Sequence, residues 1–413
     1  MLIVMTSVLS GGGRSRYLIR VGQDDHDVVE RLLAPGFWQR EPLQIDGVIL
    51  DGPFSTRFES ALKSKAVELV DRATLVMMDH QTYRLIDGAR QVDGLSRLPY
   101  CRQNLLEIDD NAGYTPEDFA DVRVVSKFVK SVLEFQRSIG VSDYISPAFF
   151  VNRPDSPWTA VNTRLLEESI AQVGTFVYAM LPGSTESLRD AGLVDSLSKS
   201  GAAGVYALIS PVAAQSDSIN KLVRYTEALR ELKDRGLDVI AARQPAFGLL
   251  LLAAGLASFD SGIAQAESFD FPSKIRVPKP NGKEKSGRGG KARRVYSTTL
   301  MRSLPQQVAK EIFDTPGLRS LFVCRGPCCK DSLSNAISSP REHFVWSRTS
   351  EIEDIRNLQP AARLRHIENR LETARQASRK LQRHVGDLGG NSDYVERWTS
   401  VLEVTAGVMR GGR

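Results

Sequence analysis

Short apolar runs rich in β-branched residues recur along the first two thirds of the chain, and longer amphipathic stretches separate most of them. Runs of this length bounded by turn residues are typical of buried strands, whereas apolar residues spaced three and four apart indicate helices. Helical spacing is present in 56–70, 116–139, 162–173, 185–198 and 218–235. The eight candidate strands are Leu2–Val8, Gly47–Leu50, Ala73–Met78, Tyr144–Val151, Thr175–Leu181, Gly204–Ile209, Leu237–Ala242 and Ala257–Phe259.

This alternation predicts the fold class. Strands and helices that alternate eight times favour an α/β fold of the (β/α)8 TIM-barrel type over an open, doubly wound sheet. A dinucleotide-binding sheet would need a Gly-x-Gly-x-x-Gly turn between a strand and a helix, and the sequence has none in that order. Gly11–Gly13, which follow the first candidate strand, are interpreted as a loop.

Composition and charge limit the classes of protein to which the sequence can belong. The chain has 413 residues and a formal net charge of +5, with a pI near 9.0, so a basic surface has to come from local clustering. Four cysteines argue against a disulfide scaffold and for a reducing compartment. The longest apolar run, 247–257, is shorter than the roughly 18 residues that span a bilayer. The sequence predicts a cytoplasmic protein with no membrane partner.

Positive charge is concentrated in the Gly- and Pro-rich segment 274–294, where nine Lys and Arg residues accompany a single acid, Glu284. Such a segment is either a solvated surface insertion or a contact to the phosphate backbone of a nucleic acid. Both interpretations stay open on the sequence alone.

Three aspartates follow directly on predicted strands: Asp51, Asp79 and Asp260. Taken singly, each is explained as a helix cap or a turn residue. The active sites of (β/α)8 barrels lie at this end of the strands, so all three are predicted to face one pocket. A pair of carboxylates suits glycosyl transfer, because one attacks the anomeric carbon and the other moves protons on the leaving and entering groups.

The residues around these aspartates resemble tRNA-guanine transglycosylases. Segments 239–245 and 249–261 have the family's order of a strand, a turn with proline, an apolar helix and a short run that ends in the nucleophilic aspartate, here Asp260. Asp51-Gly52-Pro53-Phe54 stands where the family has Asp-Ser-Gly-Gly-Phe, whose aspartate is the general acid/base. Met77-Met78-Asp79-His80 is similar to Met-x-Phe-Asp-Glu-Cys, whose aspartate reads the base.

The resemblance also suggests substrate-binding residues besides Asp79. Phe271-Pro272-Ser273-Lys274 is similar to the family's Pro-Thr-Arg, which makes Lys274 a candidate. Phe54, Tyr83 and Tyr206 are candidates to stack on a base, although core packing is the simpler interpretation of Phe54. His80 is either a proton partner of Asp79 or a loop histidine with ordinary hydrogen bonds.

A metal site is the fourth match to the family. The family binds structural zinc after the barrel through Cys-x-Cys-x-x-Cys and a later histidine, and this chain has Cys324, Cys328, Cys329 and His343. Three thiolates and one imidazole make a closed tetrahedral Zn²⁺ site. Because Cys328 and Cys329 are adjacent, both are expected to ligate only through an unusual backbone turn. Free or redox-active thiols are the alternative.

The sequence departs from the family where the 7-deazaguanine pocket is lined. Tyr206–Pro211 replaces a Gly-Gly pair and Tyr178–Pro182 replaces a Gln-Gly pair. Retained aspartates with an altered pocket resemble the divergent branch that inserts 7-deazaguanines into DNA. The predicted function is therefore exchange of guanine for a 7-deazaguanine base, with DNA preferred over tRNA as the polymer. A nucleosidase or glycosidase-type hydrolase and a catalytically silent nucleic-acid-binding barrel are the alternatives.

These patterns divide the chain into four parts: a catalytic barrel over 1–272, the basic loop over 273–297, a zinc-binding and helical subdomain over 298–385, and a C-terminal helix and tail over 386–413. The subdomain is expected to pack on the barrel as an appendage. A homodimer stays open as the oligomeric state.

Overall fold

A computed structural model describes residues 16–22, 25, 28, 45–56, 75–87, 95–108, 112–174, 176–210, 212–263, 269–271, 293–385 and 393–411. Eight parallel strands form a nearly closed barrel with helices between them, which confirms the predicted fold class. The strands are β1 (Tyr17–Val21), β2 (Gly47–Asp51), β3 (Leu75–Asp79), β4 (Tyr144–Ile145), β5 (Val177–Gly183), β6 (Gly204–Ile209), β7 (Asp238–Ala241) and β8 (Ser258–Gly262).

Hydrogen-bonded strands follow the order β3-β2-β1-β8-β7-β6-β5-β4, so β3 and β4 are the two edges that must meet. They meet just before β4, where the amide of Ser142 donates to the carbonyl of Val76 at 2.9 Å. The amide of Val76 in turn donates to Ser142 Oγ at 2.9 Å. Ser142 therefore links β3 to the chain before β4 through both its amide and its hydroxyl.

Alternation along the strands separates two buried apolar layers, because successive side chains of a strand point to opposite faces. One layer fills the barrel interior, and the other lies between the strands and the surrounding helices. Interior positions include Leu18, Ile49, Met77, Tyr206 and Ile240. Their outward neighbours include Ile19, Val48, Val76, Val205 and Val239.

The prediction of the first strand was wrong in position. Tyr17–Val21 occupies the place between β2 and β8, in register with Gly47–Leu50 on one side and Phe259–Gly262 on the other. The predicted strand Leu2–Val8 lies outside the described residues. The correction matters because β1 brings Arg20 into the barrel, where the side chain is almost completely buried.

The boundaries of the other strands differ less from the predicted ones. The predicted strand Tyr144–Val151 is paired over Tyr144–Ile145, and Val151 makes an isolated bridge to Gly183. The described helices up to the end of the barrel are α1 (Gly52–Ser55), α2 (Arg102–Leu106), α3 (Val122–Ile139), α4 (Pro157–Val173), α5 (Ala191–Lys199), α6 (Ile219–Asp234) and α7 (Phe247–Ala253). Local chemistry sets their ends, as where Asp121 caps α3 and Gly140 ends it with φ 89°.

After the barrel the chain forms a hairpin and a group of helices. The hairpin is antiparallel and includes residues predicted as the end of the basic loop. Its strands are β9 (Arg294–Ser297) and β10 (Arg302–Pro305). The helices are α8 (Gln306–Asp314), α9 (Pro327–Asp331), α10 (Asn335–Ser338), α11 (Pro340–Arg356), α12 (Pro360–Val385) and α13 (Asp393–Gly411).

The C-terminal helices pack directly on the barrel. On α13, the Trp398 indole is fully buried and donates to the carbonyl of Ala214 at 2.7 Å. Helix α11 runs along the height of the barrel: Arg341 at its start pairs with Asp25, which follows β1, at 3.9 Å, and Arg356 at its end pairs with Asp46, which precedes β2. The start of α11 therefore lies at the end of the barrel where the strands finish.

Within the described part of the chain, no helix is both long enough and apolar enough to cross a bilayer. The predicted helix over 56–70 and most of the basic segment, including Lys274, lie outside the described residues.

Candidate active site and metal centre

Two of the three predicted aspartates end their strands, Asp51 on β2 and Asp79 on β3, whereas Asp260 is the middle residue of β8 and does not follow the strand as predicted. Asp51 and Asp79 are direct partners in the register of β2 and β3, and Asp260 lies on β8, two strands from β2. All three occupy inward-facing positions of the alternating pattern. Asp79 and Asp260 are fully buried, and Asp51 is half-buried.

Arg20 joins two of these carboxylates. Its Nε donates to Asp260 Oδ1 at 3.1 Å, and its Nη1 donates to Asp79 Oδ2 at 2.8 Å. Its Nη2 contacts Asp260 Oδ2 at 3.4 Å and the hydroxyl of Tyr206. Buried charges are tolerated when they are paired and hydrogen-bonded, and one guanidinium meets that need for both acids.

The surroundings of Asp260 leave neither carboxylate oxygen without a donor. Tyr206 donates its hydroxyl to Oδ2 at 2.7 Å, and the backbone amide of Arg243 donates to Oδ1 at 3.1 Å. Burial raises the pKa of Tyr206 well above its ordinary value, so this phenol stays protonated and can donate. The structure therefore places Tyr206 against the predicted nucleophile, with its ring fully buried.

Asp79 has even more donors. Besides Arg20, its Oδ2 accepts from Arg243 Nη2 at 3.2 Å and from the Tyr83 hydroxyl at 3.2 Å, while its Oδ1 accepts from the amide of Gln81 at 3.2 Å. Burial alone would raise the pKa of Asp79, but the charges of Arg20 and Arg243 outweigh it and hold the pKa below its ordinary value. Asp79 is thus an ionised carboxylate at neutral pH.

Asp51 belongs to a separate arm of the site. Its Oδ2 accepts from Gln81 Nε2 at 2.5 Å, and Gln81 Oε1 accepts from Arg84 Nη1 at 2.6 Å. Gln81 has a left-handed backbone with φ 58°, which is uncommon for a residue other than glycine. Among the other predicted substrate-binding residues, Phe54 lies on α1 but its side chain is outside the described part, as is the whole of Lys274.

His80 points away from the aspartates. Its Nε2 lies 3.2 Å from the carbonyl of Ser146, and its ring meets Tyr100 edge to face. Burial lowers the pKa of His80 to about 4, so the imidazole is neutral at physiological pH. These contacts match the interpretation of His80 as a histidine with ordinary hydrogen bonds.

The cysteine cluster forms a compact set of metal donors. The four donor atoms of Cys324, Cys328, Cys329 and His343 lie within 4.8 Å of one another, and all four residues are buried. Sγ of Cys324 and Sγ of Cys328 are 3.3 Å apart, and His343 Nδ1 lies 3.7 Å and 3.5 Å from Sγ of Cys328 and Cys329. This group could hold a metal ion.

Local structure explains how adjacent cysteines both join the cluster. Cys328 and Cys329 occupy the first turn of α9, which Pro327 begins, and Cys324 precedes that helix. The expectation of an unusual turn was wrong, since among the described residues neither cysteine has a positive φ. His343, on α11, contacts the carbonyl of Tyr296 through Nε2 at 3.1 Å, which directs Nδ1 toward the sulfurs.

Sequence reasoning missed the two arginines that organise the site. Arg20 could have been noticed as a single charge within the apolar run Tyr17–Val21. Arg243 follows the predicted strand 237–242 directly, in the same position as the three aspartates relative to their strands. Neither is an acid, and the pattern that predicts the site is one of carboxylates that follow strands.

No protein-family model matches the chain, and no curated protein is similar to it at a significant level.

Replacing Arg20 with methionine is expected to lower the free energy of unfolding by about 3–5 kcal/mol, because Asp260 would lose the cation that compensates its buried charge. Denaturant titration measures this loss. Arg235→Met is the matched control, since the side chains of its pair with Asp195 are 46% and 44% exposed and the pair is expected to contribute about 1 kcal/mol or less. Adding Asp260→Asn to Arg20→Met should restore part of the loss; a loss below about 1 kcal/mol in the single variant would contradict the pairing.

Proposed function

We propose that this chain is a nucleic-acid guanine transglycosylase that exchanges guanine for a 7-deazaguanine base, with DNA as the preferred polymer and tRNA as the alternative. The observation that carries the proposal is that Arg20 joins Asp79 to Asp260 inside the barrel, while Asp51 is the partner of Asp79 in the register of β2 and β3. The resemblance in the sequence supplies the roles: nucleophile for Asp260 and general acid/base for Asp51.

In the first half of the reaction, a guanosine leaves its base stack and enters the barrel mouth. An oxygen of Asp260 attacks C1′, the bond from C1′ to N9 breaks, and the sugar becomes an ester of Asp260. Asp51 donates a proton to the departing guanine. Retaining glycosidases divide their chemistry between two carboxylates in the same way.

The second half reverses these steps with another base. Asp51 takes the N9 proton of the 7-deazaguanine, N9 attacks C1′, and the ester bond to Asp260 breaks. Two inversions at C1′ give overall retention. The exchange is balanced in atoms and charge, and it needs no nucleotide triphosphate.

Arg20 and Tyr206 would control the nucleophile. The charge of Arg20 keeps Asp260 compensated inside the barrel, and the Tyr206 hydroxyl holds Oδ2 at 2.7 Å. Attack requires one carboxylate oxygen to exchange its protein donors for C1′. These two residues therefore position Asp260 and set how readily it reacts.

We also propose that Cys324, Cys328, Cys329 and His343 bind a metal ion and that this ion is zinc. A tetrahedral ion with bonds of about 2.3 Å to sulfur and 2.0 Å to nitrogen separates its ligand atoms by about 3.5–3.8 Å. Three of the observed separations, at 3.3, 3.5 and 3.7 Å, are close to that range, and all of them are within 4.8 Å. Four protein donors make a closed, structural site that contributes to folding. Thiolate ligation also supports a reducing, cytoplasmic location.

The decisive experiment offers the protein radiolabelled guanine together with either double-stranded DNA or unmodified tRNA. Label is expected to enter the polymer, because guanine itself serves as the incoming base in the exchange. The proposed preference for DNA predicts that label enters DNA faster than tRNA. Label entering tRNA alone would reverse the choice of polymer. Release of guanine without any incorporation would favour a hydrolase, and no reaction with either polymer would overturn the proposed function.

A catalytically silent nucleic-acid-binding barrel is the second candidate. It is favoured by the burial of Asp260 and by the donors that already occupy both of its oxygens. In that case DNA or tRNA would bind without turnover, and Asp51→Asn and Asp260→Asn would leave the affinity unchanged.

A further inference from the structure

Gln81 contacts two of the three aspartates of the site. Its backbone amide donates to Asp79 Oδ1 at 3.2 Å, and its side-chain Nε2 donates to Asp51 Oδ2 at 2.5 Å. The residue is 3% exposed and lies between the end of β3 and the short helix Thr82–Arg84. The proposed general acid/base and the acid beside it therefore share one neighbour.

The backbone of Gln81 is left-handed, with φ 58°, as is that of Arg243, with φ 53°. Side chains other than glycine and asparagine are uncommon in this region. Such a conformation costs free energy, and it persists where the surrounding structure fixes it, often at functional sites. In this conformation the amide of Gln81 faces Asp79 while its side chain faces Asp51.

Buried neighbours on both sides hold Gln81 in place. Nε2 of His80 lies 3.2 Å from the carbonyl of Ser146, and the Thr82 hydroxyl donates to the carbonyl of Ala148 at 2.9 Å. Both side chains are fully buried. The segment that follows β4 thus supports the residues on either side of Gln81. A rigid support of this kind gives a side chain the accuracy of position that proton transfer requires.

Arg84 determines which end of the Gln81 amide faces Asp51. A glutamine side chain can present either its carbonyl oxygen or its NH2 group to a neighbour. Nη1 of Arg84 donates to Gln81 Oε1 at 2.6 Å, so a cation lies at the oxygen end and a carboxyl group at the nitrogen end. Reversal of the amide would bring its NH2 group against the guanidinium, which is unfavourable whether Asp51 is ionised or protonated. Gln81 therefore always donates to Asp51.

A permanent N–H donor at Oδ2 decides which oxygen of Asp51 carries the proton. An N–H group bonds better to a carboxylate or carbonyl oxygen than to the oxygen of a hydroxyl group. The acidic form of Asp51 is thus expected to carry its proton on Oδ1, with Oδ2 as the carbonyl oxygen that accepts from Gln81. Oδ1 then gives the proton to guanine as the bond from C1′ to N9 breaks, and it takes the N9 proton of the incoming base.

We propose that Gln81 is a positioning residue that reserves Oδ1 of Asp51 for proton transfer, and that Arg84 acts through Gln81. This inference rests on the proposed function, because it assigns an atom and two supporting residues to the general acid/base. The protons of the Gln81 amide and of Arg84 stay in place throughout the reaction. Both residues therefore affect the rate of proton transfer without exchanging protons themselves.

Gln81→Gly separates the two contacts of Gln81. Glycine adopts a φ of 58° without strain and keeps the amide that donates to Asp79, whereas the donor to Asp51 is lost. With radiolabelled guanine and the polymer that the wild type modifies, kcat is expected to fall about 10- to 100-fold, because the general acid/base is no longer oriented. The KM for guanine should stay within about 2-fold, since Asp79 keeps its donors. The unfolding midpoint should not fall.

Glu107→Gly is the matched control for this variant. Glu107 also has a left-handed backbone, with φ 57°, and it follows α2 with a side chain that is 83% exposed. The substitution relieves the same kind of backbone strain without removing a contact to an aspartate of the site. Both kcat and KM are expected to stay within about 2-fold of the wild type.

Arg84→Met tests the second half of the proposal without altering the backbone at Gln81. If Arg84 acts through the Gln81 side chain, Arg84→Met should lower kcat about 3- to 10-fold in the wild type and cause no further loss in Gln81→Gly. A residue that only supports the loop would cause the same loss in both backgrounds. The double variant therefore distinguishes orientation of the amide from a general effect on stability.

The possible results have separate meanings. If kcat of Gln81→Gly equals that of the wild type, or if KM rises while kcat is unchanged, the role of Gln81 is overturned and guanine exchange stands. If the losses from Arg84→Met and Gln81→Gly multiply, the action of Arg84 through Gln81 is overturned. If the wild type exchanges guanine into neither DNA nor tRNA, the proposed function is overturned, and the role of Gln81 in proton transfer falls with it.

Discussion

Asp260→Asn is expected to abolish guanine exchange, with a fall in rate of at least about 10³-fold, since removal of a catalytic nucleophile typically costs this much or more. The amide cannot form the ester with C1′, yet it has nearly the same shape: its oxygen can accept from Arg20 Nε in place of Oδ1, and its NH2 group can donate to the Tyr206 hydroxyl in place of Oδ2. Radiolabelled guanine measures the exchange. With DNA alone, acid quenching and mass spectrometry should detect a covalent adduct on the wild type and none on the variant.

Asp238→Asn is the matched control for this prediction. Asp238 begins β7 at the opposite end of the barrel, where it pairs with Arg16 and accepts from the Tyr178 hydroxyl at 2.6 Å. Asp238→Asn is expected to leave the exchange rate within about 2-fold, because Asp238 lies at the opposite end of the barrel and substitutions at well-separated sites act independently. Exchange that persists in Asp260→Asn would remove Asp260 from the role of nucleophile.

Cys328→Ser is expected to release one metal ion per chain and to lower the free energy of unfolding by at least about 3 kcal/mol. Structural zinc binds isolated peptides with roughly 10–16 kcal/mol, and binding to the folded state alone stabilises that state. Metal analysis and denaturant titration measure the two effects. The loss should be largest in the C-terminal part, where α9 and α11 meet at the cluster.

Cys101→Ser is the control for the metal prediction, because Cys101 is a half-buried free thiol that precedes α2 and is not one of the four donors. It should change neither the metal content nor the unfolding free energy by more than about 0.5 kcal/mol. Wild-type protein purified without metal, or an unaltered Cys328→Ser variant, would contradict the zinc assignment.

The sequence predicted the barrel because its strands obey a simple local rule. Runs such as 204–209 and 239–242 are apolar on both faces, as expected of parallel strands buried between an interior and a layer of helices. Tyr17–Val21 was missed because Arg20 interrupts its apolar pattern. A charged residue in a strand normally argues against burial, and its partners here lie 59 and 240 residues away along the chain.

For the site, the sequence predicted that the aspartates are grouped within the barrel, but it did not predict their hydrogen-bond partners. The position of Asp51, Asp79 and Asp260 follows from the common direction of parallel strands. The bridge that Arg20 makes between Asp79 and Asp260 depends on which face of β1 points into the barrel. Only the register of β1 in the barrel determines that face. The left-handed backbone of Arg243 likewise has no signal in the sequence, since glycine or asparagine is the usual residue there.

The described residues on either side of 272–292 lie at the mouth of the barrel. Phe271, just before it, donates its amide to Ser210 Oγ at 2.7 Å and stacks on Phe150 at 4.1 Å. Just after it, β9 contacts the cysteine cluster: the Tyr296 carbonyl lies 3.1 Å from Nε2 of His343, near the start of α11. Both anchors consist of described residues, so loss of the cysteine cluster is expected to loosen the one at β9 and to leave the one at Phe271 in place.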